Sequence, residues 1–153
     1  MPKIDDKLAE LGVVLPGAVA PVANYVPFVK TGALIFISGQ VSIGPNGLIT
    51  GKLGRDLDVN TGIEAAQACG VNLIAQLKNA CDGDLDRVTR VVKLGGFVNC
   101  TDDFADQPKV INGASDLMVA VFGDNGRHAR AAVGAPCLPM NAAVEVDGIF
   151  EIT

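Results

Sequence analysis

The sequence predicts an α+β fold with a single sheet of about six strands and two long helices packed on one face. Short β-branched and aromatic runs alternate with two segments whose apolar residues recur at helical spacing. The chain has 153 residues, which suits one domain. Hydrophobic residues make up 49% and charged residues 19%, so the apolar content exceeds what one core needs. This excess indicates a further buried surface, most simply a subunit interface.

The N-terminal part of the chain predicts one short helix and an irregular segment. In Asp5–Leu11, Leu8 and Leu11 fall on one helical face, and Gly12 follows as a helix-ending residue. An extended lead-in rich in Pro and Ala continues to Ala23. We therefore expect one domain over residues 1–153, in which residues 1–22 form an N-terminal extension.

Two strands and a turn follow the extension. The apolar runs Tyr25–Val29 and Leu34–Ser38 predict a pair of strands, joined by a turn at Lys30–Ala33. Val41–Ile43 continues as extended chain, and Gly44–Gly47 carries Pro at the second position of a predicted turn.

The next segment predicts a helix of about 20 residues and a long strand. Thr61–Glu64 has the spacing of a capping box, which places the helix start there. Asp82–Asp84 contains a Gly and ends the helix. Val88–Val98 is rich in β-branched residues and predicts a strand, in which Gly95 and Gly96 indicate close backbone packing.

The last third of the chain predicts a second helix and two strands. Asp106 is the expected cap of the helix, with Pro108 in its first turn. Ala129–Val133 and Ala143–Ile152 read as the final strands. In the last strand one face carries Val144, Val146, Phe150 and Ile152, and the other carries Glu145, Asp147 and Glu151.

Charge and cysteine usage exclude several classes of function. The formal net charge is −5 and no run of Lys or Arg occurs, so we expect no nucleic-acid partner. The four cysteines form no CxxC pair, and the single histidine, His128, lies at no ligand spacing. We expect no metal, and we expect the cysteines to be buried, reduced thiols.

The N-terminus and the hydropathy of the chain bear on its location. Met1–Leu15 contains five charged residues and no apolar core of a signal peptide. No stretch reaches 18 apolar residues. The sequence therefore predicts a cytoplasmic protein that does not contact a membrane.

Two charged residues are candidates for chemistry. Arg130 lies among small residues in an apolar strand, where its guanidinium needs an anionic partner or ligand if it is buried. Its fork geometry suits a carboxylate. Glu145 lies in the polar register of the last strand and could position a water or move a proton. A structural ion pair between neighbouring strands explains both residues equally well. His128 is in a polar turn and reads as a surface loop residue.

Three ordered blocks of the chain resemble the Rid (YjgF-type) family. Leu34–Gln40 resembles its hydrophobic-SGQ signature, and Val91–Phe104 resembles its central VVK…FV…DF block. Ala129–Arg130, Leu138–Pro139 and Val144–Val146 are similar to its C-terminal AR…LP…VE(I/V)E signature. Ala23–Pro27 and Asp106–Asp116 resemble a long-form branch with an extended N-terminus.

The resemblance implies a chorismate-mutase-like fold and a homotrimer, with the sheets around a central barrel and ligand clefts between subunits. It implies hydrolysis of enamines or imines derived from amino acids, without cofactor or metal. Arg130 would bind the substrate carboxylate, and Glu145 would hold the hydrolytic water. Tyr25, Ser38 and Asn112 would line the cleft.

Two positions depart from the family pattern. Ala132 stands where a Cys usually follows the Arg, and Asn24 replaces the Pro that usually precedes the Tyr. The Cys contributes largely through its backbone, so Ala132 alters the size and polarity of the pocket and leaves the backbone contact possible.

Two other functions stay open at this point. One is a non-enzymatic protein that binds small carboxylates through Arg130 on the same fold. The other is the endoribonuclease activity sometimes attached to the family, which the acidic balance and the loop position of His128 disfavour.

Overall fold

The computed structural model describes residues 3–17 and 24–153. The expected lead-in over residues 18–23 lies outside the described residues. The helices are α1 (Lys3–Glu10), α2 (Val59–Ala80) and α3 (Gln107–Phe122). The strands are β1 (Phe28–Thr31), β2 (Leu34–Val41), β3 (Ile43–Gly44), β4 (Gly47–Leu48), β5 (Val88–Asn99), β6 (Ala129–Ala135) and β7 (Val144–Ile152). Short 3₁₀ turns lie at Leu85–Arg87, Gly123–Gly126 and Pro139–Asn141.

The α+β architecture is confirmed, but the expected six-stranded sheet is wrong in detail. Five strands form one sheet in the order β1-β2-β7-β5-β6, and β3 pairs with β4 in a separate hairpin. The buried Ser42 causes this separation, because its hydroxyl donates to the carbonyl of Ile49 and its own carbonyl accepts the Ile49 N–H. The chain beyond Val41 therefore pairs with itself.

Strand pairing in the main sheet is antiparallel except at one edge. β5 and β6 run parallel, and α3 provides the crossover between them. β7 lies between β2 and β5, so the last strand of the chain is at the centre of the sheet. Consequently β6 and β7, which carry the two candidate charged residues, are not neighbours.

The structure corrects the starts of two predicted elements, α2 and β1, and shows how a third, α3, is capped. α2 begins at Val59, because Asp58 is its N-cap and accepts the N–H of Thr61 at 2.8 Å. Thr61 is thus the third helical residue and not the cap. Asp106 is the N-cap of α3 as predicted, but only its carbonyl bonds to the first turn. β1 begins at Phe28, and Tyr25 lies in a bend before it, since Pro27 has no N–H for the ladder.

The core lies between the helices and one face of the sheet. The alternation predicted for the last strand is confirmed, since the four apolar residues named for one face are buried. α2 and α3 pack tightly against each other, and Gly113 allows this approach. A Cβ at Gly113 would overlap the carbonyl oxygen of Ile63 on α2.

The opposite face of the sheet carries apolar side chains that the described helices do not cover. Register and alternation place Val29, Phe36 and Ile149 side by side on three adjacent strands of this face. The β5 partner of Ile149 is Lys93, so Phe97 and Val133 form a second apolar pair further along β5 and β6. Val29, Phe36, Phe97 and Val133 are from 37% to 52% exposed. We call this surface the open face. Large apolar side chains on every strand of an uncovered face indicate a surface that a partner covers.

The cysteines and the helices complete the fold. All four cysteines are free, and Cys69, Cys81 and Cys100 are buried. Cys137 is exposed, which corrects the expectation that all four are buried, because it lies in the loop that leaves β6 at the edge of the sheet. In the described part of the chain, no helix is long and apolar enough to cross a membrane.

We predict that Gly113→Ala destabilises the fold by about 1–3 kcal/mol, because the added methyl forces α2 and α3 apart. Urea unfolding at fixed protein concentration measures this loss. Gly17→Ala is the control, since a Cβ there meets nothing within 4 Å. It should change stability by less than about 0.5 kcal/mol. A Gly113→Ala protein as stable as this control would contradict the packing argument.

Candidate active site

Arg130 extends from β6 toward α3 on the helix-covered side of the sheet. It pairs in parallel register with the fully buried Leu94, which fixes the face to which it points. Its Nη1 donates to Asn112 Oδ1 at 2.8 Å and to Ser115 Oγ at 3.2 Å. Its Nη2 donates to the Pro108 carbonyl at 3.4 Å. The structure thus brings Asn112, one of the predicted site residues, directly to the guanidinium.

The hydrogen-bond partners of Arg130 are all neutral. Asn112 and Ser115 lie three residues apart on one face of α3, and the third acceptor is a backbone carbonyl in the first turn. Within residues 3–17 and 24–153, no carboxylate forms an ion pair with Arg130. A half-buried guanidinium held by neutral acceptors is suited to bind an anion.

His128 takes part in the same network, which the sequence analysis missed. Its Nε2 lies 2.8 Å from Ser115 Oγ, and its Nδ1 lies 2.6 Å from the carbonyl oxygen of Gly126. The side chain is half-buried and bonded on both ring nitrogens, so it is not a free surface loop residue. Its position two residues before Arg130 was a usable signal, because residues at that spacing share a face of a strand.

Glu145 lies on the open face, in register with Phe97 of β5 and Val41 of β2. Gly39 makes room for it, since a Cβ there would lie 2.5 Å from Glu145 Oε1. β2 has a register shift between Ile37 and Gln40, and this irregularity turns Gly39 toward the carboxylate. The close approach of Glu145 therefore explains why the SGQ block has a glycine at this position.

A second carboxylate, Asp147, shares the open face with Glu145. It lies over Gly95, where a Cβ would collide with its carboxylate. Burial raises the pKa of Glu145, and the negative charge of Asp147 raises it further. Burial also raises the pKa of Asp147, while the Gly95 N–H and the Lys93 charge oppose that shift. The two groups share a partly desolvated surface that favours their protonated forms.

The remaining predicted site residues fall around these two centres. Ser38 is half-buried beside Gly39, and its hydroxyl donates to the Val26 carbonyl at 2.8 Å. This hydrogen bond holds the segment that carries Tyr25. Tyr25 itself is 53% exposed. Ala132 lies two residues after Arg130, in register with Gly96 and packed against the core.

Arg130 and Glu145 do not come together within one chain. β5 separates their strands, and the alternation of side chains directs them to opposite faces of the sheet. The alternative of an ion pair between neighbouring strands is therefore wrong. The chain contributes an Arg130 cluster with Asn112 on one side of the sheet, and a Glu145 cluster beside Gly39 on the other.

The described residues contain no cluster of three or more His, Cys, Asp or Glu side chains that could hold a metal ion.

Sequence comparison matches residues 5–152 to the family model described as YjgF/chorismate mutase-like, "putative endoribonuclease". The chain belongs to the YjgF family. The match runs from Asp5 within α1 to the end of β7 and includes both clusters described above.

Relatives of this YjgF-family chain carry several different names. It is 48% identical to Protein TCP17 of Trypanosoma cruzi over 98% of the chain and 94% of that protein. It is 32% identical to the RutC family protein y4sK of Sinorhizobium fredii, over 90% and 92%. It is 30% identical to a 2-iminobutanoate/2-iminopropanoate deaminase of Dermatophagoides farinae, again over 90% and 92%.

Two solved structures share the fold over nearly the whole length. The protein Atu1372 of Agrobacterium tumefaciens, of unknown function, is 49% identical with a TM-score of 0.91, covering 99% of this chain and 94% of its own. A protein of Shewanella oneidensis described as a "putative endoribonuclease" is 34% identical with a TM-score of 0.93, covering 98% of this chain and 99% of its own. These relatives support the chorismate-mutase-like fold of the YjgF-family chain.

We predict that Glu145→Gln raises thermal stability more at pH 7 than at pH 4. A carboxyl whose pKa is raised by folding favours the native state while protonated, and this contribution is lost as pH rises through the folded pKa. The amide stays neutral throughout, so the melting temperature of the variant should gain on the wild type with rising pH. The gain should be a fraction of a kcal/mol, because the group is only half-buried.

The control for this titration is Glu64→Gln, which changes an exposed carboxylate on α2. Its melting temperature should follow that of the wild type across the pH range. A pH-independent effect of Glu145→Gln would show that the open-face carboxylate is not desolvated.

Proposed function

We propose that the protein hydrolyses 2-imino or 2-enamino acids to 2-keto acids and ammonia. The observation that carries the proposal is the setting of Arg130, a half-buried guanidinium on three neutral acceptors. These contacts use three of its five N–H donors, which leaves Nε–H and one proton of Nη2. That edge of the fork matches the two oxygens of a substrate carboxylate.

Glu145 supplies the second function that the reaction needs. A carboxyl with a raised pKa exchanges protons closer to neutral pH than an ordinary glutamate does. In the proposed reaction Glu145 accepts a proton from water as the water oxygen attacks the imine carbon. That proton, and then the proton of the new hydroxyl group, pass to nitrogen. The C–N bond breaks, and ammonia leaves as the hydroxyl oxygen becomes the carbonyl oxygen. An enamine first takes a proton on carbon and becomes the imine.

The relative named a 2-iminobutanoate/2-iminopropanoate deaminase supports this substrate class. An imine carbon is already electrophilic, so the reaction proceeds without a cofactor once the substrate is oriented. Ala132 replaces the Cys expected beside the arginine and leaves a smaller side chain in β6. We therefore expect Ala132 to leave more room in the pocket, and the side-chain preference among 2-imino acids to be set near this residue.

The proposed assembly is a homotrimer with ligand clefts between subunits. The open face presents large apolar side chains on all five strands, which favours burial against another copy. Arg130 and Glu145 point to opposite faces of one sheet, so a site that uses both requires a second chain. A trimer that encloses its open faces would meet both requirements.

A small-carboxylate-binding protein without turnover is the second candidate. The separation of Arg130 from Glu145 within the chain favours it, because Arg130 and Asn112 alone can hold an anion. We do not propose an endoribonuclease, since the chain has 17 acidic against 12 basic residues and the ring nitrogens of His128 contact Ser115 and Gly126.

Turnover separates the two candidates. An amino-acid oxidase converts 2-aminobutanoate to 2-iminobutanoate in the assay, and semicarbazide traps the imine that remains. The deaminase proposal predicts that the protein reduces trapping, and that Glu145→Gln does not. Binding of 2-oxobutanoate without any change in trapping would leave the binding protein as the function.

We predict that Arg130→Ala weakens 2-oxobutanoate binding by at least about tenfold and leaves the protein folded. A hydrogen bond to a charged group contributes about 1.5–3 kcal/mol, and the substitution removes two of them. Arg130→Lys should restore little, because an ammonium lacks the fork. Calorimetry and thermal melting on the same samples measure both effects. Intact affinity in a protein of lowered melting temperature would show that the site assignment is wrong.

We predict a homotrimer at micromolar concentration. The chain mass is 15.7 kDa, and sedimentation equilibrium should give about three times that value. Phe36→Glu places a charge between Val29 and Ile149 on the open face and should dissociate the assembly. Tyr25→Phe, which lies before β1 and outside the sheet, should not. A stable wild-type monomer would contradict both the trimer and the shared cleft.

A further inference from the structure

The Arg130 cluster contains a chain of hydrogen bonds that begins beyond the residues assigned to the site. From Arg130 the contacts run to Ser115, then to His128, and then to the carbonyl of Gly126. His128 lies just before β6, Ser115 lies on α3, and Gly126 lies in the 3₁₀ turn between them. This series of hydrogen bonds therefore links three separate elements to the guanidinium.

With a neutral His128 ring, the chemistry of the partners fixes the direction of each bond. A carbonyl oxygen can only accept, so His128 Nδ1 carries the proton that goes to Gly126. In the neutral ring Nε2 is then an acceptor, and the Ser115 hydroxyl donates to it at 2.8 Å. Arginine has no acceptor, so Ser115 Oγ accepts from Arg130 Nη1. Every polar atom in the sequence of bonds has the partner that it requires.

The direction matters because it leaves the lone pairs of Ser115 available to Arg130. A serine hydroxyl turns freely and can present either its proton or a lone pair to a neighbour. The acceptor at Nε2 fixes the proton on the side of His128. An arginine side chain loses much rotamer entropy when it becomes ordered. An acceptor that already holds Arg130 in place lowers the entropy lost when the ligand binds.

We propose that His128, acting through Ser115, is a positioning residue that sets the orientation of Arg130 for the carboxylate of the ligand. This inference rests on the proposed function, because it assigns Arg130 to carboxylate binding. It adds two residues, Ser115 and His128, that act on the ligand only through the guanidinium. Neither needs to touch the substrate or to transfer a proton in the reaction.

Two pairs of variants test the proposal, each with a conservative member. Ser115→Ala removes the hydroxyl, and Ser115→Thr keeps it. His128→Asn retains a donor near the position of Nδ1 for Gly126 but does not reach Ser115. His128→Gln reaches further and returns an acceptor to Ser115. The first variant of each pair should bind the ligand more weakly, and the second should bind it nearly as well as the wild type.

The expected result is a change in affinity without a change in fold. Ser115→Ala and His128→Asn should each raise the Kd for 2-oxobutanoate and the KM for 2-iminobutanoate by about tenfold. The kcat should change much less, because the imine carbon and its water are not touched. Ser115→Thr and His128→Gln should remain within about threefold of wild type. The Ser115→Ala/His128→Asn double variant should be no worse than either single variant.

A ligand-free measurement follows the same residues. The ¹⁵N resonance of Arg130 Nε should report an ordered side chain in the wild type and in His128→Gln. It should report a mobile one in Ser115→Ala and His128→Asn. The ring ¹⁵N shifts of His128 should show the proton on Nδ1.

The outcomes separate this proposal from the proposed function. If the wild type binds 2-oxobutanoate but hydrolyses no imine, the deaminase fails and the Kd series still tests His128. If the wild type neither binds 2-oxobutanoate nor hydrolyses the imine, carboxylate recognition fails. The order of the Arg130 Nε group then decides whether His128 orients the arginine. An Arg130 side chain equally ordered in His128→Asn, or a His128→Gln protein as impaired as His128→Asn, would overturn the positioning role.

Discussion

One constraint shapes the molecule: the five strands of the main sheet carry apolar side chains on both faces, and the described helices cover only one face. α2 and α3 bury the face that holds Val146 and Phe150. The opposite face keeps Phe36, Phe97 and Val133 in contact with solvent in the single chain. Such a surface is stable in water only if something covers it. Assembly and site therefore depend on the same property of the sheet.

The polar residues of the site follow from this two-sided sheet. β6 turns Arg130 to the helix side, where α3 offers Asn112 and Ser115 as acceptors. β7 turns Glu145 to the open side, where Gly39 makes room for it and burial raises its pKa. Two side chains that belong to one proposed reaction thus leave the chain in opposite directions. A second copy that packs on the open face would also be placed to complete the site.

Much of the fold could be predicted from local patterns. Alternation along β7 gave both of its faces, and helical spacing gave α2 and α3 to within a few residues. Composition indicated a further buried surface, and the open face is where such a surface would lie. The start of α2 was misplaced because Thr61 has the sequence pattern of a capping residue. In the structure Asp58, three residues earlier, is the N-cap and accepts the N–H of Thr61.

The arrangement of the site could not be predicted in the same way. Strand order is a tertiary property, and no local pattern states that β5 separates β6 from β7. Arg130 and Glu145 therefore looked like possible neighbours. The contacts of His128 depend on a helix 13 residues earlier in the chain, so its polar surroundings in the sequence suggested a loop residue. Both errors came from interactions between elements rather than within them.

The central claim is that Arg130 of one chain and Glu145 of another make one site. Co-expression of Arg130→Ala with Glu145→Gln tests it most directly, since mixed trimers contain some sites with both native residues. With random mixing and residues from two chains, about a quarter of the wild-type imine hydrolysis should return. Each variant alone should stay inactive. If trimers shown by native mass spectrometry to be mixed remain as inactive as the single variants, the shared site is contradicted.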